Sequence, residues 1–285
     1  MNFNPYAEVF FAAVLWGATG IFIKILQLPS TSLTFFRAAV PVIILYIIFS
    51  LQRKHVFKGK HKLMWIASTL NAVRMLLYFI GFSLTAIGNA VIILYTGPIF
   101  ISLFSAIFLK EKVTAKKVGV LFLAFLGLVV MYSNHLFSFE QKDFFGMTAV
   151  LTSTIMNAVM ILLIKKEIHN YTKMETIFWQ NLVAVFMFLP FLLITRPVPT
   201  TFQWHTAIIY AFINGLVAYY LYFSALKKIP LSTATIITYI EVVSAITFAW
   251  VFLKEPITWN MLLGGICIIT ASLLLKRIEA LSPGQ

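Results

Sequence analysis

Arg74 and Glu241 are the residues of this chain whose surroundings demand chemistry. Each stands at the centre of a long apolar run, residues 63–86 and 231–253 respectively. A charge in such a run costs several kcal/mol if it faces hydrocarbon, so it must face a cavity or a partner. Two readings are open. The two side chains form a structural ion pair with each other, or one or both hold a charged ligand. An acid and a base on one cavity suit a zwitterion, with its carboxylate on Arg74 and its ammonium on Glu241.

Polar and aromatic residues gather around these charges at helical spacing. Asn71, Arg74, Tyr78 and Thr85 follow as i, i+3, i+7 and i+14, which places them along one side of a helix. Asn214 and Tyr222 share a face at i, i+8. Tyr78, Tyr95, Tyr222 and Tyr239 stand at mid-depth in their runs. Such a side chain gives a ligand a large ring face and a hydroxyl that orients it. A single helical tyrosine is more often packing or interfacial belt. Arg37, about six residues inside the outer end of its run, suits a structural or gating role. Pro98, three residues past Tyr95, interrupts helical hydrogen bonding and favours a bend there, as do Pro41 and Pro190 elsewhere. Lys24, near a helix end, is expected to snorkel.

Catalytic motifs are absent from the sequence. His55, His61, His135, His169 and His205 fall in loops or at helix ends, and Cys267 is the single cysteine. There is no G-x-S-x-G elbow and no phosphate-binding loop. An enzyme is therefore not expected, and no cofactor or metal.

The elements that must position these residues are spanning helices. The chain is 61% hydrophobic and 11% charged, against about 45–50% and about 25% for a soluble domain. Ten apolar runs are long enough to cross a bilayer: about 6–26, 32–51, 63–86, 88–109, 115–132, 144–164, 174–195, 204–226, 231–253 and 258–275. The first run lacks the basic flank of a signal peptide and is expected to remain as a helix. With the N-terminus inside, sixteen Lys and Arg fall in inner loops and the tail, and three in outer loops. The positive-inside rule then puts both termini in the cytoplasm. The net charge of +13 is this loop asymmetry and not a nucleic-acid-binding face.

The sequence also repeats itself. A shift of 144 residues lays Phe108-Leu109-Lys110-Glu111 on Phe252-Leu253-Lys254-Glu255, Leu77-Tyr78-Phe79 on Leu221-Tyr222-Phe223, and Tyr95 on Tyr239. Residues 67–114 carry fifteen identities with their partners and no gap. The shift spans five helices, an odd number, so the second half is inverted. Inverted halves are the frame of many secondary transporters, with the site at the midplane between them. Arg74 and Glu241 fall on Ala218 and Gly97, so neither charge is a product of the duplication.

These residues resemble the EamA family of the drug/metabolite transporter superfamily. The features that match are Trp16-Gly17 in the first helix, Phe36-Arg37 in the second, Pro98 in the fourth with Lys110-Glu111 at its end, and Glu241 in the ninth, with Val242 where the family carries proline and Glu255 closing the helix. The resemblance covers nearly the whole chain. It implies two five-helix halves, an inner-membrane location and, often, metabolite export.

The expected architecture is all-α and integral to the membrane. Residues 1–132 form the first repeat, 133–143 an outer linker, 144–276 the second repeat and 277–285 a cytoplasmic tail. A central site lined by helices 1, 3, 4, 6, 8 and 9 includes Trp16, Asn71, Arg74, Tyr78, Tyr95, Asn214, Tyr222, Tyr239 and Glu241. The expected activity is alternating-access transport of an amino acid or related zwitterion. The rivals are a carrier for an anionic or nucleoside-like metabolite such as S-adenosylmethionine, and a membrane protein without transport. The partners are the bilayer and a small-molecule substrate, with protons and a second copy of the chain as further candidates. Any proton coupling would run through Glu241, the one acid placed at mid-depth.

Overall fold

The computed structural model describes residues 4–54, 56–57, 61–85, 87–133, 141–194, 196 and 198–281. Among the described residues every regular element is a helix. Nine are long and apolar enough to cross a membrane: α1 (Pro5–Leu26), α2 (Ser30–Leu51), α3 (Lys62–Leu84), α4 (Asn89–Phe108), α5 (Ala115–Tyr132), α6 (Asp143–Glu167), α7 (Lys173–Ile194), α8 (Thr201–Leu226) and α9 (Leu231–Leu253). A further helix, α10 (Trp259–Leu281), is apolar over Trp259–Leu275. Large apolar side chains cover the outside: Phe186, Ile194 and Phe252 are each about two-thirds exposed. Water would penalise that surface, and lipid does not. Most of the expected 133–143 linker and the last residues of the tail lie outside the described residues.

The helices pack in matched pairs. α3 lies on α6 and α1 on α8, while α2 lies along α7 and α5 along α10. The 144-residue shift exchanges the first two pairings and maps each of the others onto itself. The α5–α10 crossing is glycine against glycine: a Cβ on Gly127 would stand 2.7 Å from the Gly264 carbonyl oxygen. Small residues let two backbones meet where lipid gives no hydrophobic drive for association.

The apolar runs conceal interruptions. α4 consists of Ile87–Leu94 and Gly97–Phe108, parted at Tyr95-Thr96. α9 consists of Leu231–Ile237 and Ile240–Leu253, parted at Thr238-Tyr239. Threonine hydroxyls take helix carbonyls at both breaks. Thr96 Oγ1 donates to Ile93 O (2.6 Å) and Thr238 Oγ1 to Thr235 O (2.7 Å). Such bonds compete with the helical ladder. Pro98 lies in the first turn of the second segment of α4, where its missing N–H costs nothing. α9 breaks without a proline, although Val242 occupies the family's proline position. α1 pauses at Ala18, and α8 winds into a π-helix over Ala211–Val217.

The repeated Phe-Leu-Lys-Glu block forms two like corners. Lys110 and Lys254 are left-handed, with φ of 56° and 54°. The following amide reaches back six residues, Glu111 N to Ser105 O (3.2 Å) and Glu255 N to Ala249 O (3.3 Å). The left-handed lysine thus closes each helix in a wide turn.

Candidate functional site

One cavity of about 350 Å³ lies between the helices where the breaks meet. Arg74 from α3, Glu241 from α9 and Arg37 from α2 all line it. The ion pairs among the described residues are Lys24–Glu255, Lys54–Glu175 and Lys228–Glu8, and none uses a charge of the cavity. All three cavity charges are half-buried, and they stand on the cavity wall.

Glu241 owes its place to the break. It sits in the first turn of the second α9 segment, where the helix dipole favours a negative charge. Gly17 brings α1 onto this turn: a Cβ there would stand 2.8 Å from the Glu241 carbonyl oxygen and would run into Ser244 Oγ. The adjacent Trp16 crosses to α8, where its Nε1 donates to Asn214 O (3.3 Å). Asn214 lies in the π-helix, a geometry that rearranges the i→i−4 ladder. The Trp16-Gly17 pair thus ties α1 to both α9 and α8.

Arg74 is held by Asn71. Its Nε donates to Asn71 Oδ1 (3.1 Å), and Asn71 Nδ2 donates to Gln180 O of α7 (2.9 Å). Arg37 Nη2 reaches Met75 Sδ (3.5 Å), so the two arginines stand on neighbouring helices around Met75. Pro41 denies the Arg37 carbonyl its helical partner, and Gly215 of α8 packs closely against that oxygen and the Pro41 ring.

The structure sorts the residues singled out from sequence. Trp16, Tyr78, Tyr95, Tyr222 and Pro98 line the cavity with the charges. Asn71 stands behind Arg74. Tyr239 is fully buried and donates its hydroxyl to the Tyr95 carbonyl (2.7 Å), with the two rings stacked at 6.0 Å. Asn214 is also buried and accepts from Thr19 Oγ1 (3.3 Å). Asn214 and Tyr222 both touch Trp16, Asn214 through its carbonyl and Tyr222 through its ring. Thr85 is remote, bonded to Asp143 (2.9 Å). Lys24 pairs with Glu255 instead of only snorkelling.

Sequence reasoning missed Tyr210 and Tyr219, which line the cavity, and the contributions of α2 and α7. Tyr219 packs on Trp16 at 5.0 Å, and Tyr222 at 5.2 Å. Tyr219 falls on Met75 under the repeat, so the pairing that flagged the other tyrosines was silent here. Among the described residues, no three His, Cys, Asp or Glu side chains gather as metal ligands would. His55 and His135 lie outside the described residues.

Spanning helices closed around a charged, tyrosine-lined cavity define a multi-pass membrane protein. The chain belongs to the EamA-like transporter family, within the drug/metabolite transporter superfamily; the family's model matches residues 6–133 and again residues 144–277. It is similar to the uncharacterized transporter YoaV of Bacillus subtilis, 25% identical with 90% of each chain covered. It is similar to the pseudopaline exporter CntI of Pseudomonas aeruginosa, 20% identical over 88% of each. The S-adenosylmethionine uptake transporter of Rickettsia prowazekii is 23% identical over 79% of this chain and 77% of its own. A solved crystal structure superposes with a TM-score of 0.83 at 17% identity, covering 95% of this chain and 97% of its own, and shares the fold.

Proposed function

We propose that this protein is a secondary transporter that carries a small zwitterionic metabolite, an amino acid or a relative of one, by alternating access. The observation that carries this reading is the meeting of two broken helices, at matching positions in the repeat, around a cavity whose acid and bases form no ion pairs among the described residues. Broken helices at corresponding points of two halves mark transporter binding sites. A substrate carboxylate would lie on Arg74 and its ammonium on Glu241. Trp16, Tyr78, Tyr95 and Tyr222 would hold its body.

In this reading α10 also crosses the hydrocarbon of the bilayer, making ten spans in two inverted halves, 1–132 and 144–276. Both termini face the cytoplasm of a bacterial inner membrane. The double family match and the paired packing support the two halves, and the loop charges support the orientation. The cavity then opens toward the outer side, because its wall reaches Ile23 and Ser30 at the ends of α1 and α2 remote from the cytoplasm. The relatives include one named for export and one for uptake, so family membership leaves direction open.

The test is counterflow. Proteoliposomes loaded with a metabolite mixture are offered the same compounds in isotopically labelled form, and the exchange is read by mass spectrometry. At least one zwitterion should exchange well above empty liposomes. Exchange of none overturns the reading. Single cysteines at Lys112 and Val198 should label from the cytoplasmic and the outer side respectively; the reverse overturns the orientation.

A further inference from the structure

The cavity charges do not balance. Arg37 and Arg74 contribute two cations, and Glu241 contributes one anion. A simple zwitterion would use one cation and the acid, leaving a second guanidinium on the cavity wall with no counter-charge. An uncompensated charge is costly even when half-buried, so the resting imbalance favours a ligand that brings a net negative charge.

The donors are arranged for such a ligand. A guanidinium carries five N–H donors in a planar fork, matched to a carboxylate. Asn71 takes the Nε donor of Arg74, and the Arg37 contact with Met75 sulfur is a weak one. The two guanidiniums lie on adjacent helices, and each presents itself to the same cavity as Glu241. Tyr78 and Tyr219 line the same cavity, and the Tyr219 hydroxyl is hydrogen-bonded to the Arg74 side chain. A cavity of about 350 Å³ has room for a small organic acid of this kind.

Resting on the transport reading above, we propose that the substrate is an amino-dicarboxylate: one acid group on Arg74, a second on Arg37 and the amino group on Glu241. Arg37 is then a specificity-determining contact as well as part of the outer wall.

The experiment uses the full-length protein in proteoliposomes. The probes are aspartate, glutamate and 2-aminoadipate, each against the amide that neutralises its side-chain acid. For the acid of best-fitting length, exchange should exceed that of its amide by about tenfold or more in kcat/KM. Arg37→Gln should collapse that ratio by about tenfold, and Arg37→Lys, which keeps the charge, should retain most of the preference. Melting temperatures measured alongside show whether each variant is folded. If Arg37→Gln does not fold, the acid-to-amide ratio of the native protein and of Arg37→Lys decides. Equal exchange of acid and amide, a preference for the amide, or an unchanged ratio in a folded Arg37→Gln overturns the proposal. So does failure of all six probes. If other zwitterions exchange in that case, the transport reading stands without this substrate class; if none does, both fall.

Discussion

α4 and α9 share a backbone plan and differ in chemistry. Both break at a Thr–Tyr pair, both carry a left-handed lysine, and both end in a glutamate whose amide reaches back six residues to close the helix. Yet the residue that opens the second segment of α4 is Gly97, and its counterpart in α9 is the charged Glu241. The closing glutamates differ as well. The Glu111 carboxylate accepts from Leu231 N (2.7 Å), Ser232 N (3.1 Å) and Ser232 Oγ (2.9 Å), which caps the start of α9. Glu255 instead pairs with Lys24 at an exposed position. Around Glu111 the end of the bundle is sealed further. Lys165 reaches the carbonyls of Leu226 and Ile229, and Glu8 pairs with Lys228 (3.1 Å). At the Glu255 end the cavity wall reaches Ile23 and Ser30. The duplicated frame supplies the hinge-like breaks, and single-sided substitutions supply charge and closure.

The sharpest way to break this comparison is at the glycines beside the two breaks. At Gly17, which braces the α9 break, a methyl group would collide with Ser244 and crowd the Glu241 carbonyl. Gly17→Ala should cost about 1–3 kcal/mol and most of the transport. Gly97 serves the α4 break, and a Cβ there would meet only Thr154 Cγ2, at 3.4 Å. Gly97→Ala should melt close to the native protein. Equal losses would mean that the two breaks are braced alike.

The glutamates give a smaller contrast. Glu111→Ala removes the acceptor of three donors and should cost about 1–2 kcal/mol, in the range of a lost helix cap. It should also raise labelling of a cysteine placed at Thr235 from the cytoplasmic side. Glu255→Ala removes an exposed pair and should cost at most about 1 kcal/mol. Thermal melting of the two variants side by side reads the difference.

The stacked tyrosines give the smallest. Tyr239→Phe loses the bond to the Tyr95 carbonyl and should cost about 1 kcal/mol. Tyr95→Phe keeps that bond, because its backbone is the acceptor. Its effect should appear in KM and not in the melting temperature.

Much of this was legible in the chain. Run lengths located the helices to within a few residues, because bilayer thickness dictates their length. The charges at 74 and 241 were visible because nothing but a cavity accommodates them. The 144-residue shift exposed the Tyr95–Tyr239 pair that stacks in the structure. Pro98 marked the α4 break, whereas the α9 break was not legible, since an apolar run reads the same whether its ladder is continuous or not and no proline marked the place. The π-turn at Ala211–Val217, which holds Asn214, left no mark in the apolar pattern. Arg37 looked peripheral by its distance from the helix end, and only packing of α2 against α8 brings it to the cavity wall with Arg74.

The most direct test of the central claim, that Arg74 and Glu241 hold substrate and not each other, is exchange by the double variant Arg74→Gln with Glu241→Gln. Each single change should weaken exchange by about 2–5 kcal/mol of lost charged contact. The double variant should insert, melt near the native temperature and exchange no substrate above empty liposomes. Recovery of exchange in the double variant, after loss in each single one, would contradict the account and make the two charges a structural pair.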